Sequence, residues 1–290
     1  MAQYRMIAID LDGTLLSPSG RVTVRAKDAV QKCLSAGLLV CFATGRNWTE
    51  SREILDAVEH WPTAVFVGGA MVIDTDHEVT LHRTMIDPTL AREVCHCLES
   101  GGHCVLALQD TGTAGVDYLM TGDLSPNLAT RGWMMVTRAK VHKVGRLGDY
   151  VHEHTIRVGI VAVPDTIARV KQGLVERFGE RIVVQSLVVP AYGVEVLEVF
   201  DPAVNKWEGV LKVAARHGVM PEQIVAIGDD VNDIPMIKNA GLGVAMGNAK
   251  PEIQAVAKRV IGKNDDEGLA IFLDELVAAH LVDPLNEKTT

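Results

Sequence analysis

The sequence lacks an excess of basic residues. Its 290 residues include 28 lysines and arginines against 37 aspartates and glutamates, which gives a formal net charge of −9 at pH 7. A protein that wraps nucleic acid or docks on an anionic membrane needs a basic face. We therefore expect neither partner, although the balance still permits a local basic pocket for a small anion.

Long apolar runs are also missing. Asp10 interrupts the first apolar stretch after a few residues, and the later stretches at 38–43 and 183–200 are short or are broken by proline, glycine or glutamate. We expect neither a signal peptide nor a membrane-spanning helix. A cytoplasmic location is the default expectation.

Cysteine is scarce and irregularly placed. Cys95 and Cys97 flank His96 and could suggest zinc, but the segment after Pro88 has a helical pattern, in which positions two apart point to different faces. We therefore expect ordinary thiols there. An odd, scattered set suits a reducing compartment, and the set has five members: Cys33, Cys41, Cys95, Cys97 and Cys104.

Short apolar strands and helices alternate at both ends of the chain. Met6–Ile9 and the segments 38–43 and 64–67 are predicted strands, with helices between them. This alternation predicts an α/β fold with a doubly wound, mostly parallel, Rossmann-like sheet. It resumes with strands at 195–200 and 224–227, so we expect a discontinuous catalytic core.

The pattern between these segments changes to a mixed block of helices and strands. A chain of this length predicts two domains, and we expect residues 85–190 to form an inserted α/β cap domain, with 1–84 and 191–290 as the core. Proline or glycine lies at or beside both connections, near 85–88 and 190–193, which makes them candidate hinges. The stretch after Met120 has no clear pattern.

Two aspartates follow the first predicted strand directly. Residues two apart in an extended chain project to the same side, so Asp10 and Asp12 should face one pocket at the carboxyl end of the sheet. Paired carboxylates repel unless a cation or a proton lies between them. One can act as a nucleophile or metal ligand while the other transfers protons. Two aspartates with this spacing and no other signal would more often lie in a turn, with both side chains in solvent.

A second acidic group follows the strand at 224–227. Asp229, Asp230 and Asp233 fall within five positions, and Asp229 and Asp233 would share one face if a helix begins there. An acidic first turn of a helix explains one or two of these residues, but not their pairing with a second acidic strand end. A cation with oxygen ligands, Mg²⁺ above all, suits such a cluster.

Two further segments are weaker signals when taken alone. Thr44 and Gly45 follow the strand at 38–43, where a hydroxyl and backbone N–H groups could hold a phosphate oxygen. Lys206 lies at the start of a predicted helix, where the helix dipole disfavours a cation. A phosphate in front of Lys206 would explain its position, although a surface lysine is the commoner case.

In this order, the four segments resemble the four motifs of the haloacid dehalogenase-like superfamily, and the chain is similar to its Cof-type hydrolases. Segments 244–249 and 264–268 also resemble that branch, and the insertion at 85–190 lies where its cap lies. One departure is Gly68, where many relatives carry asparagine, so a substrate contact there is in doubt. The motif segments are 10–14, 43–46, 205–206 and 228–233.

The resemblance implies a role for each motif residue. Asp10 would be the nucleophile and a Mg²⁺ ligand, and Asp12 would be the general acid and base, with its backbone carbonyl on the metal. Asp229 would complete the metal ligands and Asp233 would support them. Phosphate contacts are implied for Leu11, Thr44, Gly45, Lys206 and Asn232.

The reaction implied is the Mg²⁺-dependent hydrolysis of a small phosphate monoester, such as a sugar phosphate or similar metabolite, through an aspartyl-phosphate. The protein would be a monomer or a weak homo-oligomer. A phosphomutase of the same superfamily is an alternative, because it returns the phosphoryl group to the substrate instead of to water. A receiver-like signalling module is much shorter and does not need Asp12, and a catalytically silent binding protein would not need all four motifs.

Overall fold

The computed structural model describes residues 4–137, 139–189 and 194–282. The chain divides into two compact units. The first unit contains 1–81 and 205–290, and the second contains 82–204.

The first unit is built on a five-stranded parallel sheet. Its order is β14-β13-β12-β1-β2, so β1 lies at an inner position with β12 and β2 on either side. Every residue of β1 is fully buried, which explains why this strand is apolar at every position rather than at every second one. The predicted parallel α/β sheet is confirmed. Its strands are β1 (Met6–Ile9), β2 (Leu39–Phe42), β12 (Ile224–Gly228), β13 (Leu242–Ala245) and β14 (Arg259–Val260).

A small three-stranded sheet follows β2. A parallel bridge between Ala43 and Val65 places its first strand beside the end of β2. Its last two strands form a hairpin around the polar turn at 75–77. The strands are β3 (Thr63–Phe66), β4 (Met71–Asp74) and β5 (Val79–Arg83), the last of which runs across the boundary into the second unit.

Three helices of the first unit, α1, α2 and α7, begin at side-chain caps. The side chains of Thr23, Asn47 and Asn205 each accept a hydrogen bond from the backbone N–H three residues later, which satisfies an N–H group that the helix leaves unpaired. The helices are α1 (Val24–Ser35), α2 (Trp48–Val58), α7 (Lys206–Arg216), α8 (Ile234–Asn239), α9 (Pro251–Val256) and α10 (Gly268–Val282).

The second unit contains a six-stranded sheet of mixed direction with its own apolar core. Its order is β10-β11-β9-β6-β7-β8, and α3 and α6 contribute buried side chains such as Val94 and Leu174 to that core. The strands are β6 (Leu106–Gln109), β7 (Tyr118–Thr121), β8 (Val141–Val144), β9 (Thr155–Ala162), β10 (Val183–Val189) and β11 (Val194–Phe200). The helices are α3 (Pro88–Ser100), α4 (Thr111–Ala114), α5 (Leu128–Thr137) and α6 (Pro164–Phe178).

Two details of this unit correct the sequence reading. The expected return to the core at 195–200 is wrong, because β11 pairs antiparallel with β10 and β9. An apolar, β-branched strand has the same pattern in either sheet, so the sequence could not assign it. The stretch after Met120 also contains α5 and β8. The hinge expected at 190–193 lies outside the described residues.

None of the helices in the described ranges combines the length and apolar character that crossing a membrane requires.

Candidate active site

The acidic segments converge because their strands are parallel neighbours. Ile9 is in register with Phe42 on one side and with Ile227 on the other. Asp10, Thr44 and Asp229 therefore follow three adjacent strands and lie at one edge of the sheet. The carboxyl edge is where open parallel sheets place their ligands.

Lys206 joins the first acidic segment to the last. Its Nζ donates to Asp10 Oδ1 and to Asp233 Oδ1, both at 2.6 Å, and the lysine is only 1% exposed. Burial disfavours the charged ammonium, but the charges and hydrogen bonds of the two aspartates outweigh it and raise the pKa of Lys206. The ammonium is therefore held in its charged form at the first position of α7. Two buried carboxylates explain a cation at this helix terminus, and the surface position that is commoner for a lysine is excluded by its burial.

The acidic cluster has more negative charge than Lys206 can neutralise. Ligand atoms of Asp10, Asp229 and Asp233 all lie within 4.8 Å of one another. Burial raises the pKa of Asp10 well above its ordinary value, and the neighbouring carboxylates add to this effect while Lys206 opposes it. Burial, then the charge of Asp233, raises the pKa of Asp229 to about 7. A divalent cation with oxygen ligands would stabilise all three ionised forms, so the donor set fits such an ion.

Asp229 and Asp233 approach one another through a turn rather than along a helix face. Asp233 Oδ2 accepts hydrogen bonds from the backbone N–H groups of Asp229 at 2.9 Å and Asp230 at 3.1 Å. The condition set in the sequence argument, a helix beginning at Asp229, is not met, since α8 begins only at Ile234. Asp230 forms an ion pair with Lys250 and does not belong to the cluster.

Asp12 does not join the buried cluster. Its side chain is 44% exposed and forms a two-point ion pair with Arg46, with Arg46 Nε 2.7 Å from Oδ2 and Nη2 2.6 Å from Oδ1. The extended geometry from which a common direction with Asp10 was inferred ends after β1, because a tight turn begins at Leu11. The hydrogen bonds to Asp12, opposed by burial, raise the pKa of Arg46.

The other residues expected to contact phosphate lie either next to Asp10 in the chain or after the strands on either side of β1. Thr44 is fully buried, and its Oγ1 accepts from Arg46 N at 3.1 Å, a contact that does not use the hydroxyl hydrogen. The side chain of Leu11 is buried, so only its backbone could serve. A β-carbon added to Gly45 would lie 3.8 Å from Asn232 Nδ2. Asn232 Oδ1 is buried and has no hydrogen-bond partner among the described residues.

Several contacts in this region were not foreseen from the sequence. Thr14 Oγ1 donates to Asp229 Oδ1 at 3.0 Å, and Asn248 Nδ2 donates to the carbonyl of Gly13 at 2.8 Å. Gly13 has φ +77°, and a β-carbon there would lie 2.2 Å from Asp229 Oδ2. Thr14 and Arg46 belong to the motif segments and Asn248 to the further segment 244–249, so the resemblance was the available signal, although it assigned these three residues no role.

Gly68 and Gly69 differ in what they require. Gly68 has φ +64°, a left-handed conformation that asparagine also tolerates, which is compatible with the asparagine of many relatives. Gly69 has φ +105°, and a β-carbon there would lie 1.9 Å from the carbonyl oxygen of Asn205. Only glycine allows this loop to approach the start of α7 so closely.

The family model for haloacid dehalogenase-like hydrolases matches residues 7–273. The chain is 28% identical over 272 residues to a 5-amino-6-(5-phospho-D-ribitylamino)uracil phosphatase of Bacillus subtilis, covering 93% of this chain and 96% of that protein. It is 27% identical to an HMP-PP phosphatase of an Enterobacter species over 93% of this chain and 94% of that one. A haloacid dehalogenase-like hydrolase from Bacteroides thetaiotaomicron has the same fold, with a TM-score of 0.78, 20% identity, and coverage of 94% of this chain and 99% of that chain.

Proposed function

Since this chain belongs to the haloacid dehalogenase-like hydrolase family, we propose that it hydrolyses a small phosphate monoester in two steps through a phosphoryl group carried on Asp10. The match to the family model and the two similar phosphatases confirm the resemblance that was inferred from the four motifs. The chain is a phosphoric monoester hydrolase. The covalent step, the metal and the substrate are the parts that we propose.

The observation that carries the proposal is the buried contact between Asp10 and Lys206. Asp10 is 5% exposed at the end of β1, and its Oδ1 accepts from Lys206 Nζ at 2.6 Å. A charged lysine beside the carboxylate favours its ionised, nucleophilic form and can also stabilise negative charge on a transferred phosphoryl group. A carboxylate that served only the fold would not require this arrangement at the ligand-binding edge of the sheet.

Asp12 is assigned to proton transfer. It lies two residues after Asp10 but outside the buried cluster, and its side chain is 44% exposed. A carboxyl group with that exposure is open to a leaving alkoxide and to water, whereas the carboxylate of Asp10 is buried. An alkoxide is a poor leaving group, so an acid here distinguishes a phosphatase from a protein that only accepts a phosphoryl group.

The remaining residues would bind the phosphoryl oxygens. Lys206 and the hydroxyl of Thr44 supply a charge and a donor, and the backbone N–H groups of Leu11 and Gly45 are further candidate donors. Asn232 has a buried carboxamide near Gly45 whose oxygen has no partner among the described residues. A bound group with a hydrogen-bond donor opposite Asn232 Oδ1 would supply the missing partner. If the Oδ1 and Nδ2 positions are exchanged, the amide NH₂ would instead donate to the bound group.

Mg²⁺ is the cofactor that we propose for the acidic cluster. Asp10, Asp229 and the backbone carbonyl of Asp12 would hold the ion, with Asp233 supporting it by fixing the backbone of Asp229. When bound, the ion would supply positive charge for the phosphoryl oxygens. The raised pKa values of Asp10 and Asp229 are what supports this assignment.

The substrate class is a small phosphorylated metabolite, such as a sugar phosphate. One relative is named for 5-amino-6-(5-phospho-D-ribitylamino)uracil, which makes that compound the first to test. The phosphoryl-binding residues all belong to the first unit, so we assign the choice among esters to the inserted domain expected at 85–190.

The direct test is a panel of phosphomonoesters given to purified protein, with phosphate release measured in Mg²⁺ and after exhaustive chelation. We expect hydrolysis of several esters in Mg²⁺, its loss on chelation, and inhibition by Ca²⁺, whose looser coordination disturbs the in-line geometry. Full activity without a divalent cation would contradict the metal assignment. Appearance of an isomeric phosphate ester in place of inorganic phosphate would instead identify a phosphomutase.

A further inference from the structure

The guanidinium of Arg46 contacts both carboxylate oxygens of Asp12. Nε lies 2.7 Å from Oδ2 and Nη2 lies 2.6 Å from Oδ1. A two-point contact of this kind fixes the plane of a carboxylate as well as its position, which a single hydrogen bond or a lysine charge does not. Arg46 therefore sets the orientation of Asp12.

The backbone of Arg46 is fixed on both sides. Its N–H donates to Thr44 Oγ1 at 3.1 Å, and its carbonyl accepts from Val67 N at 2.9 Å. The following residue, Asn47, is buried and accepts from Glu50 N at 2.8 Å as the cap of α2. The guanidinium consequently extends from a loop whose position is determined by the strand before it and by the helix after it.

We propose that Arg46 is a positioning residue that orients Asp12 for proton transfer in both steps of the reaction. The inference rests on the proposed function, because it gives Asp12 the acid and base role. Arg46 belongs to the second motif segment, but the resemblance gives it no role and it lies outside the buried cluster. The proposal gives Arg46 a role in catalysis.

The two steps define what Asp12 must do. In the first, an oxygen of Asp10 bonds to phosphorus, the bond from phosphorus to the leaving oxygen breaks, and Asp12 gives its proton to that oxygen. In the second, a water oxygen bonds to phosphorus, the bond to Asp10 breaks, and Asp12 takes a proton from the water. A carboxyl group that rotates freely would reach the reacting oxygen from only a fraction of its rotamers.

Leaving-group dependence provides a test that a general structural role would not satisfy. An alkyl phosphate needs the acid because its alkoxide is a poor leaving group, whereas an aryl phosphate releases a more stable phenolate. Arg46→Lys keeps the charge but removes the planar fork. We expect it to lower kcat/KM for an alkyl phosphate by about ten- to hundredfold, within the contribution of a general acid, and for p-nitrophenyl phosphate by less than about threefold.

A double-mutant cycle tests whether Arg46 acts through Asp12. In an Asp12→Asn background the acid is absent, so adding Arg46→Lys should lower kcat/KM for the alkyl phosphate by less than about threefold, in place of the ten- to hundredfold loss expected in the wild type. Arg52→Lys is the matched control, because Arg52 forms an exposed ion pair with Glu78 at 2.7 Å in the first unit. It should leave kcat/KM unchanged for both esters. Thermal unfolding of each variant checks that the fold is retained.

Each outcome supports or overturns the inference. If Arg46→Lys lowers kcat/KM equally for both esters, and still does so in the Asp12→Asn background, Arg46 binds the phosphoryl group directly. If Arg46→Lys matches the wild type, a positive charge at this position is sufficient and the planar fork is not needed. Either result overturns the positioning role while leaving the phosphatase intact. If the wild type hydrolyses neither ester, the proposed function fails and the inference fails with it.

Discussion

Lys206 shows how one side chain can organise a site before any ligand is bound. A lysine that is 1% exposed would be strongly destabilising without partners, yet it has hydrogen bonds to Asp10 and Asp233. These two contacts connect the end of β1 to the turn after β12 across the start of α7. The same three residues leave an excess of negative charge around Asp229, and that excess has a measurable consequence.

The stability of the metal-free protein should depend on Asp229 between about pH 4 and pH 7. Burial raises the folded-state pKa of Asp229 to about 7, from about 3.9 for an ordinary aspartate, so folding favours its protonated form. The favourable contribution is complete below the unfolded pKa and is lost as the pH rises toward the folded one, at about 1.4 kcal/mol per pH unit at most. Denaturant unfolding at several pH values should therefore show a steeper decline for the wild type than for Asp229→Asn.

Mg²⁺ should reverse that decline if the cluster binds the ion. A ligand that binds only the folded, ionised site raises the free energy of unfolding, so the increase in Tm caused by Mg²⁺ should be larger at pH 7.5 than at pH 5. Asp229→Asn should abolish most of the increase. An equal effect of Mg²⁺ on the variant would place the ion elsewhere.

At the level of elements, the turn after β1 depends on the close approach of Gly13 to Asp229. Gly13 and Gly20 have nearly the same φ, +77° and +72°, but a β-carbon on Gly20 would have nothing within 4 Å. Gly20→Ala is therefore the control for backbone strain, and each substitution should cost about 1–2 kcal/mol of stability from that source.

Gly13→Ala should also lower turnover and Mg²⁺ binding, which Gly20→Ala should not change. Its β-carbon would displace the Asp229 carboxylate, and a displacement of about 1 Å at a reacting centre can lower turnover by about a hundredfold. Turnover and the Mg²⁺-induced increase in Tm should both fall for Gly13→Ala and be retained in Gly20→Ala. Equal turnover for the two variants would show that the turn after β1 does not need to approach Asp229.

The sequence predicted the elements of the first unit well because their signals are local. Apolar strands and motif residues at strand ends do not depend on distant parts of the chain. The pairing of Asp12 with Arg46 could not be predicted, because it joins residues 34 positions apart through two loops. β11 was misassigned for a related reason, since its sheet is decided by its partner strands and not by its own pattern.

At the scale of the whole molecule, the expected division between the core and the inserted domain predicts two different responses to mutation. Lys206→Met should lower kcat/KM for all alkyl phosphates in a panel by similar factors, because every ester shares the phosphoryl group. Substitutions in the second unit should change the order of preference among the same esters. Leu128→Ala and Met135→Ala are suitable, since both residues are 85% exposed on α5. Trp133→Ala is a third variant to test, although the Trp133 side chain lies outside the described part of the chain.

The control for this comparison is an exposed apolar residue of the first unit, such as Val24→Ala, which lies 77% exposed in α1 and should affect neither rate nor preference. If Lys206→Met changes the order of preference while no substitution in the second unit does, the inserted domain is not the element that selects the substrate.

The covalent step can be observed by rapid-quench detection of protein-bound phosphate during turnover of a labelled aryl phosphate, followed by peptide mapping. We expect a hydroxylamine-labile phosphoryl group on the peptide that contains Asp10, formed no later than inorganic phosphate appears, and absent from an Asp10→Asn variant that retains the fold. We also expect a greater yield of this phosphorylated peptide from Asp12→Asn, in which the base for the second step is missing. Turnover without any protein-bound phosphate, or with the phosphoryl group on another residue, would contradict the covalent step proposed for Asp10.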